Sequence, residues 1–242
     1  MKNQDNWKPS RVKEHKGAFV PDYEYYGLCS RYLGQLVVSK YAQTIRENAK
    51  GDFLDCGCGQ APYYIIYKDL INKVICVDWE VTESEHDYLD FTTDLNQPLD
   101  CLQDNEFDTI LLADVLEHIY KPKELIAEMH RVLKPGGKLM VFVPFFYWVH
   151  SEPHDYFRYT EYALKKMVEE NKLKVIQLEP YGGYLDILFD LINKFFVNSK
   201  FCAKQLIRFA RWLKKTRYYK KREGFRLKNF PLGYILIAEK TT

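Results

Sequence analysis

Three groups of residues in this chain have the types and spacing to do chemistry. The first is Asp55-Cys56-Gly57-Cys58-Gly59-Gln60-Ala61-Pro62, where an apolar run ends in an acid and two glycines alternate behind it. Glycine takes φ > 0 and lets a ligand approach bare backbone. Pro62 suits the first turn of a helix, whose free N–H groups would point at whatever lies above the bend. The second group is Asp78, at the end of the apolar run Val74–Asp78. Its distance from the glycines, about twenty residues, is the spacing at which a doubly wound sheet sets a carboxylate against a ribose. The third group pairs Asp114-Val115-Leu116-Glu117-His118 with the loop Val143–Thr160, which carries His150, Glu152, His154, Asp155 and Arg158 among aromatics. Histidine moves protons near neutral pH, and an alcohol oxygen is a poor nucleophile until its proton leaves. His150 or His154 is therefore a candidate base, with Asp155 or Asp114 orienting the ring. The alternative is that these groups only bond one another and hold the loop.

No metal is expected from the histidines at 150 and 154. On a helix their spacing of four would pair them, but Pro153 stands between them. Cys56 and Cys58 flank Gly57 too tightly for a zinc pair and are expected to pack as small apolar residues.

The elements that must position these groups follow from hydrophobic period. A helix is expected over Leu28–Ala49, a first strand over Asp52–Cys56, a crossover helix over Pro62–Ile71 and a second strand over Val74–Asp78. A third strand falls near Asp87–Phe91. Phe107–Asp114 is almost continuously apolar, as in a strand buried on both faces of a parallel sheet. A helix over Lys123–Leu133 stops at Lys134-Pro135-Gly136-Gly137, and the fifth strand is Lys138–Val143. Thr160 caps a further helix. Lys174–Leu178 and Tyr234–Glu239 are the sixth and last strands. Ligands of open α/β sheets lie outside the carboxyl ends of the strands, which places Asp114 where a substrate is met.

The Asp-x-Gly-x-Gly turn with Asp78 downstream resembles the S-adenosylmethionine loop of the class I methyltransferases. Asp-Val-Leu-Glu-His followed by Arg131-Val132-Leu133-Lys134-Pro135-Gly136-Gly137 resembles the small-molecule branch of that family. The resemblance covers about residues 50–145. It implies an α/β, doubly wound, Rossmann-like seven-stranded mixed sheet of order 3-2-1-4-5-7-6, with the last strand antiparallel. It implies S-adenosylmethionine as cofactor, with Asp55, Gly57 and Gly59 on the methionine side, Asp78 on the ribose, and Asp94 with Leu95 on the adenine. Asp90 competes with Asp94 for that role. Trp79 either covers the other adenine face or is a half-buried surface aromatic. A nicotinamide cofactor is disfavoured, because its phosphate-cradling loop wants a third glycine where Ala61 and Pro62 stand.

The chain departs from the family pattern between its sixth and seventh strands, where an insertion over 183–230 is expected on the acceptor side. Within it, Tyr184–Val197 reads as a helix with a narrow polar stripe (Asp186, Asp190, Asn193, Lys194), buried on most of its girth. In the next helix Lys200, Lys204, Arg208, Arg211 and Lys215 share one face, and Cys202, Leu206, Phe209 and Leu213 another. This is a cap over the acceptor pocket, a membrane-surface element touching anionic lipid through 200–222, or an RNA-binding segment over 200–228; nucleic acid is the least expected. Residues 1–26 form an arm or a lid. The net charge of +2 gives no global pull towards nucleic acid, and the 47% apolar content supports a sizeable core. Six cysteines without a repeated CxxC, a polar start and no apolar run of the ~20 residues that span a bilayer lead to the expectation of a cytoplasmic enzyme, membrane-associated if the basic helix binds lipid. The acceptor expected is small or lipid-linked and methylated on oxygen; a catalytically inactive scaffold is the contrasting reading.

Overall fold

A computed structural model describes residues 1–22, 31–79, 88–195 and 200–241. The chain begins with a hairpin, β1 (Val12–His15) and β2 (Ala18–Pro21), followed by helix α1 (Arg31–Asn48). Then strands and helices alternate: β3 (Gly51–Cys56), α2 (Tyr64–Tyr67), β4 (Ile71–Asp78), β5 (Phe91–Thr92), β6 (Phe107–Ala113), a single turn at Leu116–His118, α3 (Pro122–Val132), β7 (Leu133–Pro144), α4 (Glu161–Glu170) and β8 (Leu173–Tyr181). Helices α5 (Tyr184–Phe195), α6 (Lys200–Lys215) and α7 (Arg217–Asn229) precede the last strand, β9 (Gly233–Lys240).

Seven strands form one sheet in the order β5-β4-β3-β6-β7-β9-β8. Counted from β3, that is the expected 3-2-1-4-5-7-6. The first five strands run parallel, and β9 is antiparallel to both β7 and β8. The sheet is covered on both faces, which is why the middles of its central strands, such as residues 110–112 and 139–143, are continuously apolar. Along β9, Tyr234, Leu236 and Ala238 enter one core beside α3 and α4, while Ile235 and Ile237 enter the other beside α1 and α2. The Thr160 hydroxyl caps α4 by accepting from the Ala163 N–H at 3.3 Å.

Several expected boundaries are corrected. Helix α2 is one turn, not Pro62–Ile71. Ala61 has φ +48° and Tyr63 precedes the first helical residue. Tyr63, Tyr64, Ile66 and Tyr67 are all buried, and Tyr67 stacks on Phe53 with ring centroids 4.3 Å apart. Aromatic burial on every side, rather than a helical stripe, shapes this segment. Helix α3 passes directly into β7, which absorbs Lys134–Gly137 through a register shift opposite Phe107–Thr109. Of the third strand only Phe91–Thr92 is regular; the expected start at Asp87 and the first turn of the helix from Leu28 lie outside the described residues.

The larger correction concerns α5, whose polar stripe faces inward alongside Ile187 and Phe189. Asp186, Asp190 and Asn193 are buried, whereas Leu188, Leu191 and Phe195 face outward, Phe195 being 82% exposed. Asp186 tolerates burial because it is fully partnered: it accepts from the Tyr32 hydroxyl and the Gly183 N–H and pairs with Lys214 at 2.5 Å. Asp190 pairs with Lys194 at 2.5 Å. A paired and hydrogen-bonded charge is what an interior accepts. In α6 the inward residues are Leu206, Ile207, Ala210 and Leu213. Phe209, expected among them, is on the outside, stacked on exposed Trp212 with centroids 5.7 Å apart.

Candidate functional site

The bend after β3 is tied to its neighbours by backbone. The N–H groups of Gly57 and Cys58 both donate to the Val77 carbonyl, at 2.7 and 3.3 Å. Gly57 has φ +75°, and a Cβ there would lie 2.8 Å from Val115 Cγ1 and closer still to Cγ2. Gly59 has φ +53°, and a Cβ at that position would meet nothing within 4 Å. Its backbone therefore faces open space. The Gly59 N–H donates to Asp78 Oδ2 at 2.5 Å, and the Trp79 N–H donates to Oδ1 at 2.8 Å. These two bonds fix the plane of the Asp78 carboxylate against the loop. Asp55, at the end of β3, is buried and accepts from the Tyr67 hydroxyl at 2.6 Å. Burial pushes its carboxyl up to about 7; the Tyr67 bond opposes this and the Asp78 charge adds to it. Cys56 and Cys58 are buried beneath the loop, as expected.

Beyond β4, Asp94 Oδ1 accepts from both the backbone and side-chain nitrogens of Asn96, at 2.9 Å each. Leu95 is buried beside it. Asp90 is instead committed to the sheet edge, where Oδ2 accepts from the Cys76 N–H at 2.7 Å.

Asp114 stands at the end of β6 in the left-handed region, φ +56°. Its Oδ1 accepts from the Tyr41 hydroxyl at 2.8 Å, and Tyr41 Oη lies 3.0 Å from the Tyr181 hydroxyl. Burial, then the Glu117 charge, push the Asp114 carboxyl up to about 7, with the Tyr41 bond opposing. Glu117 is 0% exposed, and neither of its carboxylate oxygens has a hydrogen-bond partner. His118 Nε2 and His150 Nε2 each lie 3.8 Å from Glu117 Oε1, too far for a hydrogen bond. The other nitrogens are engaged. His118 Nδ1 is 2.6 Å from the His154 carbonyl, and His150 Nδ1 is 3.2 Å from the Trp148 carbonyl and 3.4 Å from Asp155 Oδ2. Arg158 clamps both oxygens of Asp155, at 2.5 and 2.7 Å.

The two histidines of the loop part company. His150 lies beside Glu117, oriented by Asp155 rather than by Asp114, which Tyr41 holds. His154 turns towards the glycine-loop end, with its Nδ1 3.0 Å from the Tyr156 hydroxyl and its ring edge-on to Trp79 at 4.7 Å. Trp79 is 42% exposed.

Asp55, Gly57, Gly59, Asp78, Trp79, Asp94, Leu95, Asp114, His150 and His154 all line one cavity of about 860 Å³. Arg11, Tyr41, Glu117, His118 and Tyr181 line it too, and sequence reasoning had not singled them out. Glu117 and His118 had a signal, since they sit within the quoted motif three and four residues beyond Asp114. Tyr41 had none, being one apolar position of an amphipathic helix. The N-terminal arm reaches the loop as well: Trp7 donates to the Gln60 carbonyl at 3.3 Å and packs edge-on against Tyr64.

Residues 54–141 match the family model described as a methyltransferase domain. The chain is 31% identical over 112 residues to the thiol S-methyltransferase TMT1B of Rattus norvegicus, covering 41% of this chain and 43% of that protein. It thus spans less than half the length of that curated relative. The fold is similar to a SAM-dependent methyltransferase from Archaeoglobus fulgidus, with TM-score 0.56, 15% identity, and coverage of 90% of this chain and 100% of the other. It is also similar to a putative methyltransferase from Bacillus halodurans, with TM-score 0.54, 17% identity, and coverage of 84% and 98%.

Proposed function

We propose that this chain, whose residues 54–141 match a methyltransferase-domain model, is a class I methyltransferase that binds S-adenosylmethionine in the cavity and methylates a hydroxyl of a small or lipid-linked acceptor. The supporting observation is that bare backbone at Gly59, the carboxylate of Asp78 and the ionisable cluster around Asp114 share one cavity. That volume is of the size that holds a ligand of a few hundred daltons, about 300–1,000 Å³.

The cofactor fits the residues present. The open face of Gly59 admits a chain against the backbone, and buried Asp55 offers negative charge to a cation. Asp78 receives ribose hydroxyls, Asp94 and Leu95 hold the adenine edge and face, and Trp79 covers the other face. S-adenosylmethionine supplies a methyl group made electrophilic by its sulfonium. The protein's work is to bind, align and exclude water, and alignment alone contributes on the order of several kcal/mol. The acceptor's proton passes to the groups around Asp114 and His150, which meet at the carboxyl end of β6. His154, turned towards Trp79, serves the cofactor end instead.

The insertion supports a lipid-linked acceptor. Lys194 of α5 lies 4.0 Å from the Trp148 ring centroid and 4.8 Å from that of Tyr147, which lines the cavity. The outward faces of α5 and α6 present Leu191, Phe195, Phe201, Phe209 and Trp212 beside exposed Arg208, Arg211 and Lys215. Apolar side chains flanked by cations suit an anionic membrane surface. Among the described residues no helix is long and apolar enough to cross a membrane.

Calorimetry with S-adenosylhomocysteine tests the cofactor assignment. Saturable heat that falls at least tenfold in affinity with Asp78→Asn is expected, and no heat from the folded wild-type chain overturns it. Transfer of labelled methyl to hydroxyl-bearing glycans and their lipid-linked forms then tests the acceptor.

A further inference from the structure

We infer that Glu117, His118 and His150 form a binding site for one divalent transition-metal ion on the floor of the cavity. Among the described residues, one oxygen of Glu117 and one nitrogen from each histidine lie within 4.8 Å of one another. Both Nε2 atoms are 3.8 Å from Glu117 Oε1. An ion placed between three such atoms lies within a few tenths of an ångström of the ~2.0–2.2 Å bonds that zinc makes to imidazole nitrogen and carboxylate oxygen. The pairing that the sequence considered and set aside was His150 with His154. The fold replaces His154 with His118, because the turn after β6 and the loop after β7 meet at one sheet edge.

Three further observations point to a ligand. Glu117 is fully buried, yet neither oxygen has a hydrogen-bond partner. An interior carboxylate left in that state is costly unless a cation meets it. Second, both imidazoles have their tautomers set by acceptors. The Nδ1 atoms of His118 and His150 face the carbonyls of His154 and Trp148, at 2.6 and 3.2 Å. A carbonyl only accepts, so Nδ1 carries a proton; in the neutral ring Nε2 then keeps its lone pair on the side of Glu117. Third, support lies behind the His150 ligand. Asp155 accepts from the His150 backbone N–H at 2.9 Å and is itself gripped by Arg158. Outer partners of this kind hold metal-binding histidines in place.

Two imidazoles and one carboxylate suit zinc, manganese, iron or cobalt better than calcium or magnesium. The positions not taken by protein open into the cavity beside Asp114. An acceptor hydroxyl bound there would lose its proton more readily, and with His150 serving as a ligand that proton goes to the Asp114 carboxylate. Metal binding itself does not depend on the methyl-transfer reading; this role for the metal rests on it.

The test uses the full chain stripped of metal by chelation, titrated with Co²⁺ while its visible d–d absorption is followed, with Zn²⁺ added as competitor. One ion per chain is expected. His118→Ala, His150→Ala and the isosteric Glu117→Gln should each weaken binding by about tenfold or more. His130→Ala, on the far side of α3, should leave it unchanged. Thermal melts identify any variant that fails to fold, and His118→Asn and His150→Asn then replace it. A wild-type chain that takes up no Co²⁺ or Zn²⁺ overturns the proposal and leaves an ion pair of Glu117 with protonated imidazole. Binding unaffected by both histidine variants overturns it too. S-adenosylhomocysteine calorimetry on the same preparations separates the two assignments: heat without metal uptake removes only the metal site, and metal uptake without heat removes only the methyl-transfer reading.

Discussion

Asp55→Asn should stabilise the protein in alkaline solution while weakening cofactor binding. The Asp55 carboxyl is buried at the end of β3 and is raised from 3.8 to about 7, burial being the largest cause. One pK unit corresponds to about 1.4 kcal/mol between the two protonation states, so the ceiling is about 4 kcal/mol. The sign follows from linkage. Below the unfolded value both states hold the proton and the group costs nothing. Between 3.8 and about 7 the unfolded chain ionises first, so folding must retain a proton. Above the folded value the full penalty applies. Asparagine keeps an acceptor for the Tyr67 hydroxyl, now 2.6 Å from Oδ2, and carries no charge to desolvate. The advantage of the variant should therefore grow by about 2–3 kcal/mol between pH 5 and pH 8.5, which in a domain of this size moves the melting temperature by about 4–10 °C. Scanning calorimetry of both chains at the two pH values measures this. A gap that is constant with pH, or a variant less stable at pH 8.5, refutes the reasoning. S-adenosylhomocysteine affinity should fall in the same variant, because the stability cost is retained for the sake of the ligand.

Gly57→Ala should fail at the loop. The new Cβ enters Val115, and φ +75° adds strain of about 1–2 kcal/mol; adding Val115→Ala should restore part of the melting temperature but not all of the ligand affinity. Tyr41→Phe removes the donor to Asp114 Oδ1 and should cost about 1–3 kcal/mol in urea unfolding. Phe209→Ser with Trp212→Ser should reduce co-sedimentation with anionic vesicles, as should Arg208→Glu with Arg211→Glu. Binding that survives both pairs of changes removes the lipid surface from the acceptor side.

The strands were legible in the sequence because buried parallel strands are written as apolar runs; their order came from the resemblance of the glycine turn and the Asp-Val-Leu-Glu-His motif to the class I methyltransferases. The ten candidate residues come together for a related reason: parallel strands deliver all their carboxyl ends to one edge, so Asp55, Asp78 and Asp114 had to be neighbours once the order was right. The face of α5 was not legible. Helical period reveals a polar stripe, but which side is inward depends on partners far along the chain, here Tyr32 and Lys214 for Asp186. The separation of His150 from His154 was hidden likewise. It depends on His118 taking the His154 carbonyl and on Arg158 holding Asp155, contacts that no spacing rule contains.

The electrostatics of the cavity argue for cationic occupants on general grounds. Asp55, Asp114 and Glu117 line the same space. The first two are pushed to about 7 with burial as the first cause, each raised further by a neighbouring carboxylate, while Glu117 has no hydrogen-bond partner. Like charges gathered in a partly dry space oppose folding, and three apolar residues of similar volume would serve the core better. Arg11, Tyr41 and Tyr67 relieve the repulsion only in part. What reverses the balance is positive charge supplied from outside, at two points: a sulfonium and its ammonium near Asp55, and a divalent ion near Glu117. The two ligands are then coupled: each favours ionisation of the carboxylates that the other meets, against the direct repulsion between the two cations. Adding Zn²⁺ should therefore favour S-adenosylmethionine binding more at pH 6, where Asp55 and Asp114 still hold protons, than at pH 8.5, where both are ionised. Affinities measured at pH 6 and pH 8.5, with and without Zn²⁺, would contradict this if the metal's effect were the same at both.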